Sequence, residues 1–374
     1  MLGTKNYDYD FNNVLAKLGY DTYFCGNSKS SLIPKDKWIN INYTDIESIY
    51  NFLALNKDFK YILPGSNDLA YLSLCEIKKN KKLNNLIKID ELAIAENYLL
   101  KSQFRKKQVS NFVNFPFKLN LKTIENRKEK FLLKHDGLSG GKGIYFFENW
   151  KDFKKVKNKT FFKKDYVFEE FINGTGHGAS FFLENGKVIL EFFDNEYYAK
   201  DNLAVIATST PSILNENDKD KLRNFCYEYV KENGLCDGLF HIQCIRSQEK
   251  IFIIECTRRL PGDYYHIFAS LYLQKSYLTY YINGFINEFN LKNEEVNLNK
   301  SYVRIIYDEK IKKKIDSSKN LECLIKNNTL KTLPMDGFRF GLDGNRFKKK
   351  MAIFLVFKTI QEANDLCEVL SEDL

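Results

Sequence analysis

Apolar positions near the start of the chain alternate between helical and strand-like spacing. Phe11, Val14, Leu15 and Leu18 follow the three-and-four rhythm of one helix face, and Gly19 is placed to stop it. Tyr23–Cys25 is a short apolar run that reads as a strand. Thr44 and Glu47 form a capping box ahead of Ile46, Ile49, Tyr50 and Leu53. Tyr61–Leu63 reads as another strand, and Pro64-Gly-Ser-Asn-Asp68 leads into a further helix. Such alternation predicts a parallel sheet with helices on its faces. Asn67 and Asp68 fall at a strand's carboxyl end, where α/β proteins bind ligands, but a helix N-cap is the plainer role for them.

The pattern changes at Phe131–Ile144, FLLKHDGLSGGKGI. An apolar strand ends on Lys134, a loop of glycines follows, and apolar residues resume. Glycines let backbone N–H groups turn toward an anion with no Cβ in the way, and a lysine adds a point charge for phosphate. The loop is neither a Walker A loop, since Gly143 follows Lys142 where Ser or Thr is needed, nor a Rossmann fingerprint. A bland surface turn is the competing reading.

A second segment has different chemistry. Leu239–Ile245 and Ile251–Thr257 are apolar runs joined by the polar turn Arg246–Lys250, which predicts an antiparallel hairpin. Alternation places His241 and Gln243 on one face of the first strand and Glu255 and Thr257 on one face of the second. In a register that opposes the odd-numbered residues, these four polar groups converge. Burying them is costly unless something satisfies them, and a magnesium ion carried by ATP phosphates would. The alternative is a solvated face on an edge hairpin. Arg258 and Arg259 follow directly, two guanidinium groups suited to phosphate or carboxylate.

Taken in order, these segments resemble the ATP-grasp superfamily, most of all its carboxylate–amine ligases and the synthetase subunits related to carbamoyl-phosphate synthase. The resemblance runs from about Asn97 to Leu273. It implies an α/β (α+β) ATP-grasp fold with an N-terminal Rossmann-like domain, whose usual first strand is nearly absent here because only Met1 and Leu2 precede Gly3. By the same resemblance Lys101 and Lys134 are the two ATP lysines. Tyr166-Val-Phe-Glu-Glu-Phe-Ile172 is similar to the adenine hinge, with Glu169, Glu170, Phe171 and Ile172 at the pocket. Ser139, Gly140, Gly141, Lys142 and Gly143 would cover the phosphates. Gly174-Thr-Gly-His-Gly-Ala-Ser180 resembles the family's glycine segment and puts His177 near ribose or phosphates, with His241 as a further phosphate contact. Gln243 and Glu255 match the metal pair. Thr257 completes the expected metal set as a poorer ligand where the family has an asparagine, which would alter metal affinity, and Arg258 stands where the family has a proline. Lys134, Arg258 and Arg259 form the expected catalytic set, Arg259 meeting the transferred phosphoryl group.

Composition narrows the picture. The chain has 374 residues, 44% of them hydrophobic, enough for two or three domains at ~100–200 residues each. The resemblance and the pattern together divide it into an N-terminal α/β domain (1–95), an ATP-grasp domain (96–290, its lid about 131–165) and a C-terminal α+β part (291–374). No run of about 18 apolar residues occurs and the N-terminus has no signal core, so a cytoplasmic protein without membrane association is expected. The eight cysteines include no Cys-x-x-Cys pair and read as free thiols. The net charge of +9 is dispersed lysine, which is ordinary surface rather than a nucleic-acid footprint. Of the four histidines, His135 and His266 read as structural or substrate-adjacent.

The implied reaction is ATP-dependent amide formation through an acyl phosphate, with ADP released. ATP and magnesium (or manganese) would be the cofactors, and a small carboxylate and an amine, by default amino acids, the substrates. A homodimer is a family-level expectation. Two alternatives remain: an ATP-grasp enzyme ending in phosphoryl or thioester transfer, and a nucleotide-binding module without catalysis, which Thr257 favours.

Overall fold

The computed structural model of the chain describes all residues except 28, 30–31, 107–109, 126, 137–142, 157–165, 200–202, 292–298, 336–337, 341–345 and 373–374. Near the start, strands β1 (Phe24–Cys25) and β2 (Trp38–Ile39) pair in parallel. Leu2 bridges in parallel to both Cys25 and Pro64. The first strand is therefore reduced to one residue, yet it holds the expected central place in a parallel arrangement. The helix Ile46–Leu55 is capped by Asp45, whose carboxylate accepts from the Ser48 N–H, rather than by the Thr44–Glu47 box. Asn67 caps the helix Asp68–Lys78, as its position implied.

Four short strands, β3 (Lys118–Leu119), β4 (Phe131–His135), β5 (Ile144–Phe147) and β6 (Tyr166–Glu170), form an antiparallel sheet in the order β3-β6-β4-β5. Its aromatic core centres on Phe131, Phe147 and Phe153. The remaining strands are β7 (Thr175–Glu184), β8 (Lys187–Tyr198), β9 (Val205–Thr210), β10 (Gly238–Ser247), β11 (Lys250–Thr257), β12 (Ser301–Tyr307), β13 (Thr329–Pro334), the small hairpin β14 (Phe338–Phe340) and β15 (Arg346–Lys348), and β16 (Met351–Phe357). Among the described residues the large sheet has eight strands in the order β11-β10-β7-β8-β9-β12-β16-β13.

One face of β10 explains how the site is held. Phe240, Ile242 and Cys244 are fully buried. They join one apolar cluster with Leu222, Phe225 and Cys226 of the helix Glu216–Asn233, and with Tyr71, Leu74 and Cys75 from the N-terminal region. The opposite face is left for polar groups. Among the described residues no helix is long and apolar enough to cross a membrane.

Candidate functional site

The β10–β11 hairpin forms in the register that alternation required. Gln243 faces Glu255 and His241 faces Thr257. On the other side of β10, Gln243 lies opposite Gly178 and His241 opposite Ser180 of β7. Directly opposed residues of antiparallel strands point to the same face, so the four polar groups are brought together. Glu255 is half-buried and has no hydrogen-bond or ion-pair partner among the described residues. Gln243 Nε2 donates to both oxygens of Glu196, at 2.8 and 2.9 Å. His241 Nδ1 lies 2.9 Å from Ser180 Oγ, which also accepts from the Tyr277 hydroxyl. Burial, reinforced by the charges of Arg259 and Arg304, pulls the His241 imidazole down to about 3, so it is neutral at physiological pH.

A bulge interrupts the hairpin just beyond this level: Cys244 pairs with Ile253, leaving Ile254 without a partner. Bulges free backbone groups and re-aim side chains. Here the freed Ile254 carbonyl accepts from Arg105 Nη2 at 2.6 Å. Arg105 in turn donates through Nε to Glu169 Oε1 at 2.7 Å, and Lys134 Nζ lies 2.8 Å from Glu169 Oε2. All three side chains are buried. Burial pushes the Glu169 carboxyl up, but Lys134 and Arg105 outweigh it and hold the group at about 2. Lys101 is near enough for its charge to act on Lys134. The charges of the two lysines expected at the phosphates thus act on one another, and the bulge, through Arg105, ties the carboxylate that pairs with Lys134 to the hairpin. Glu170 accepts from the Phe117 N–H at 2.8 Å, and the Phe171 N–H donates to the Lys130 carbonyl. Ile172 follows β6, half-buried. Gly143 has a positive φ of 68° and its carbonyl accepts from the His135 N–H. Ser139, Gly140, Gly141 and Lys142 lie outside the described residues.

Arg259 continues the site face past the end of β11. Its Nε donates to Asp68 Oδ1 at 2.8 Å. Thr257 Oγ1 lies 3.4 Å from the same oxygen and accepts from the Arg259 N–H. Two other residues are not brought here. Arg258 turns into the core, where it ion-pairs with buried Asp90 at 3.1 Å and donates to the Cys236 and Asp237 carbonyls. His177 points to the far face of β7. There its Nε2 lies 2.9 Å from Thr175 Oγ1, and burial lowers its imidazole to about 4.

Four groups at the site escaped sequence reasoning. Arg105 gave no signal, because its partners come from distant segments. Asp194 and Glu196 share a face of β8 in a period-two Asp-x-Glu pattern beside Gly176 and Gly178 of β7; that pairing of motifs was the available clue. Burial, with Glu196 beside it, pushes the Asp194 carboxyl up to about 7. Arg304 of β12 donates to the Gly262 and Asp263 carbonyls, its guanidinium over the Tyr265 ring.

The oxygen donors fit a hard divalent cation. Asp194, Glu196 and Glu255 form no ion pair among the described residues, and the Arg304 guanidinium is close enough for its charge to act on Asp194 and Glu196. Among the described residues no three His, Cys, Asp or Glu side chains make a complete metal cage. Magnesium needs only one or two protein carboxylates when phosphates supply the rest.

The family profile of the ATP-grasp domain matches residues 98–263. Solved structures show the same fold over nearly the whole chain. The L-amino acid ligase of Bacillus licheniformis superposes with a TM-score of 0.74 at 13% identity, covering 100% of this chain and 96% of that one. N5-carboxyaminoimidazole synthetase of Staphylococcus aureus, solved with ADP, gives 0.73 at 14% identity, covering 99% and 96%. Phosphoribosylglycinamide synthetase of Anaerococcus prevotii gives 0.68 at 15% identity, with the same coverage. No curated protein sequence matches at a significant level.

Proposed function

We propose that this chain, whose residues 98–263 match the ATP-grasp domain profile, works as an ATP-dependent carboxylate–amine ligase. The observation that carries the proposal is the cross-strand pair Gln243–Glu255 with Arg259 beside it. It is linked through the Ile254 carbonyl and Arg105 to the buried Glu169–Lys134 pair.

A substrate carboxylate oxygen attacks the γ-phosphorus of ATP, the bond to the bridging oxygen breaks, and ADP leaves an acyl phosphate. An amine then attacks the acyl carbon, the carbon–oxygen bond breaks, and phosphate departs. Dividing one hard step into two is the use of such intermediates. Enzymatic phosphoryl transfer is mostly positioning and charge neutralisation. Lys101 and Lys134 hold the α- and β-phosphates. Glu170, Phe171 and Ile172 border the adenine, partly through backbone groups. Gln243 and Glu255 would hold magnesium, which would supply charge neutralisation for the phosphates. Arg259 balances the charge on the group in transfer, with Asp68 fixing its guanidinium. Arg258 acts from the core by positioning the strand end, and His177 supports the sheet from its far face. Small molecules, amino acids by default, are the carboxylate and the amine; the L-amino acid ligase likeness supports that choice.

The test is magnesium-dependent ADP formation across a panel of amino acids and small carboxylates. The wild type should respond to particular carboxylates. Glu255→Ala should lose turnover by about 100-fold or more while retaining some ATP binding in calorimetry. Equal ADP formation by the variant and the wild type would remove the metal assignment. A second reading, a nucleotide-binding module, draws support from Thr257, whose hydroxyl is engaged by Asp68 and the Arg259 N–H; bound ATP with no ADP across the panel would favour it.

A further inference from the structure

Gln243 and Glu196 meet across an intervening strand. Gln243 is on β10, Glu196 is on β8, and β7 runs between them. Strands lie 4.7–4.9 Å apart, so the flanking backbones are separated by about 9.5 Å. The contact is made over Gly176 and Gly178, opposite Glu196 and Gln243 respectively. A Cβ on Gly178 would collide with Asp194 Oδ1, and one on Gly176 with the Tyr198 ring. The missing side chains thus clear a channel over β7. Through it both oxygens of Glu196 reach Gln243 Nε2, and the Tyr198 hydroxyl donates to Glu196 Oε2 at 2.6 Å.

A glutamine can serve a cation only through its carbonyl oxygen. Its amide group has two nearly equivalent orientations, and only one presents Oε1. A carboxylate can only accept hydrogen bonds, so Glu196 draws the NH2 group toward itself and turns Oε1 the other way. That oxygen has no hydrogen-bond partner among the described residues.

We propose that Glu196 is a positioning residue for the divalent-cation site, fixing the amide of Gln243 so that Oε1 faces the cation alongside Glu255. This rests on the reading of the Gln243–Glu255 face as a cation site. It gives the glycines of the Gly174–Ser180 segment a task, clearing the path between β10 and β8. It also tells how a neutral glutamine holds its place as a ligand where Thr257 offers only a hydroxyl.

The test is Mn2+ binding to the protein–ADP complex, read from the free Mn2+ signal in electron paramagnetic resonance. ADP binding in EDTA and thermal unfolding serve as controls. Glu196→Leu should weaken Mn2+ binding by about 10–100-fold, the usual effect of removing a group that orients a ligand, and leave ADP binding in EDTA unchanged. Gln243→Ala has no amide left to orient. In that background Glu196→Leu should change Mn2+ binding by less than about threefold, since two residues that act through one contact are not additive. Wild-type Mn2+ binding in Glu196→Leu would overturn the proposal. So would an equal loss in both backgrounds, which would mean that Glu196 acts independently of Gln243. A wild-type ADP complex that binds no Mn2+ would overturn the cation site itself, a separate and larger failure.

Discussion

Glu169 shows how one residue joins the chemistry of the site to its stability. Two cations, Arg105 and Lys134, share its carboxylate in a buried setting. Breaking a buried ion pair by removing one partner costs about 3–5 kcal/mol, because it strands the remaining charge. Glu169→Gln should therefore destabilise the fold by roughly that amount in urea unfolding at pH 7. The sign of the pH dependence follows from the shift. The carboxyl is held at about 2, below its ordinary value of 4.5, so its contribution is complete above about 4.5 and is lost as the pH falls toward 2. The difference between wild type and Glu169→Gln should narrow over that window; a difference independent of pH would refute the pairing. Glu169 was legible in the sequence as part of the hinge, but only as a nucleotide contact. Its pairing with Arg105 could not be read there, because Arg105 lies in a distant segment and is held in place by a bulge carbonyl that no local pattern announces.

At the level of strands, side-chain alternation was the most informative sequence signal. It placed His241, Gln243, Glu255 and Thr257 on one face correctly. Carried one residue further it separates Arg259, which shares the parity of Glu255 and Thr257, from Arg258, which shares that of buried Cys256. The same parity sets His177, between Gly176 and Gly178, on the far face of β7. Reading these two by motif position rather than parity assigned them to the site. Glu196 was out of reach for another reason: its meeting with Gln243 depends on β7 lying between β8 and β10, and strand order is a property of the whole sheet. Gly178→Ala tests this packing. Its methyl would press on Asp194, and overpacking typically costs about 1–3 kcal/mol. Chemical denaturation should show that loss together with weaker Mn2+ binding; unchanged stability and binding would show that the channel over β7 has room to spare.

Across the whole molecule, two carboxylates from the first hundred residues hold consecutive arginines at the end of β11. Asp90, which also accepts from the Tyr71 and Tyr98 hydroxyls and the Cys236 N–H, anchors Arg258 in the core. Asp68 orients Arg259 at the site. The roles separate by experiment. Asp90→Ala strands a buried guanidinium and should cost about 3–5 kcal/mol of stability. Asp68→Asn lies at the site's edge and should lower kcat by about 10–100-fold while shifting the melting temperature little. The reverse pattern would exchange the two assignments. The central claim, that ATP activates a carboxylate here, is tested most directly by adding hydroxylamine to the magnesium–ATP reaction with each carboxylate of the panel. An acyl phosphate intermediate requires a hydroxamate to accumulate with ADP for the true substrate, and neither to form with Glu255→Ala. Carboxylate-dependent ADP release without hydroxamate, or ATP bound with no ADP above background, would contradict it.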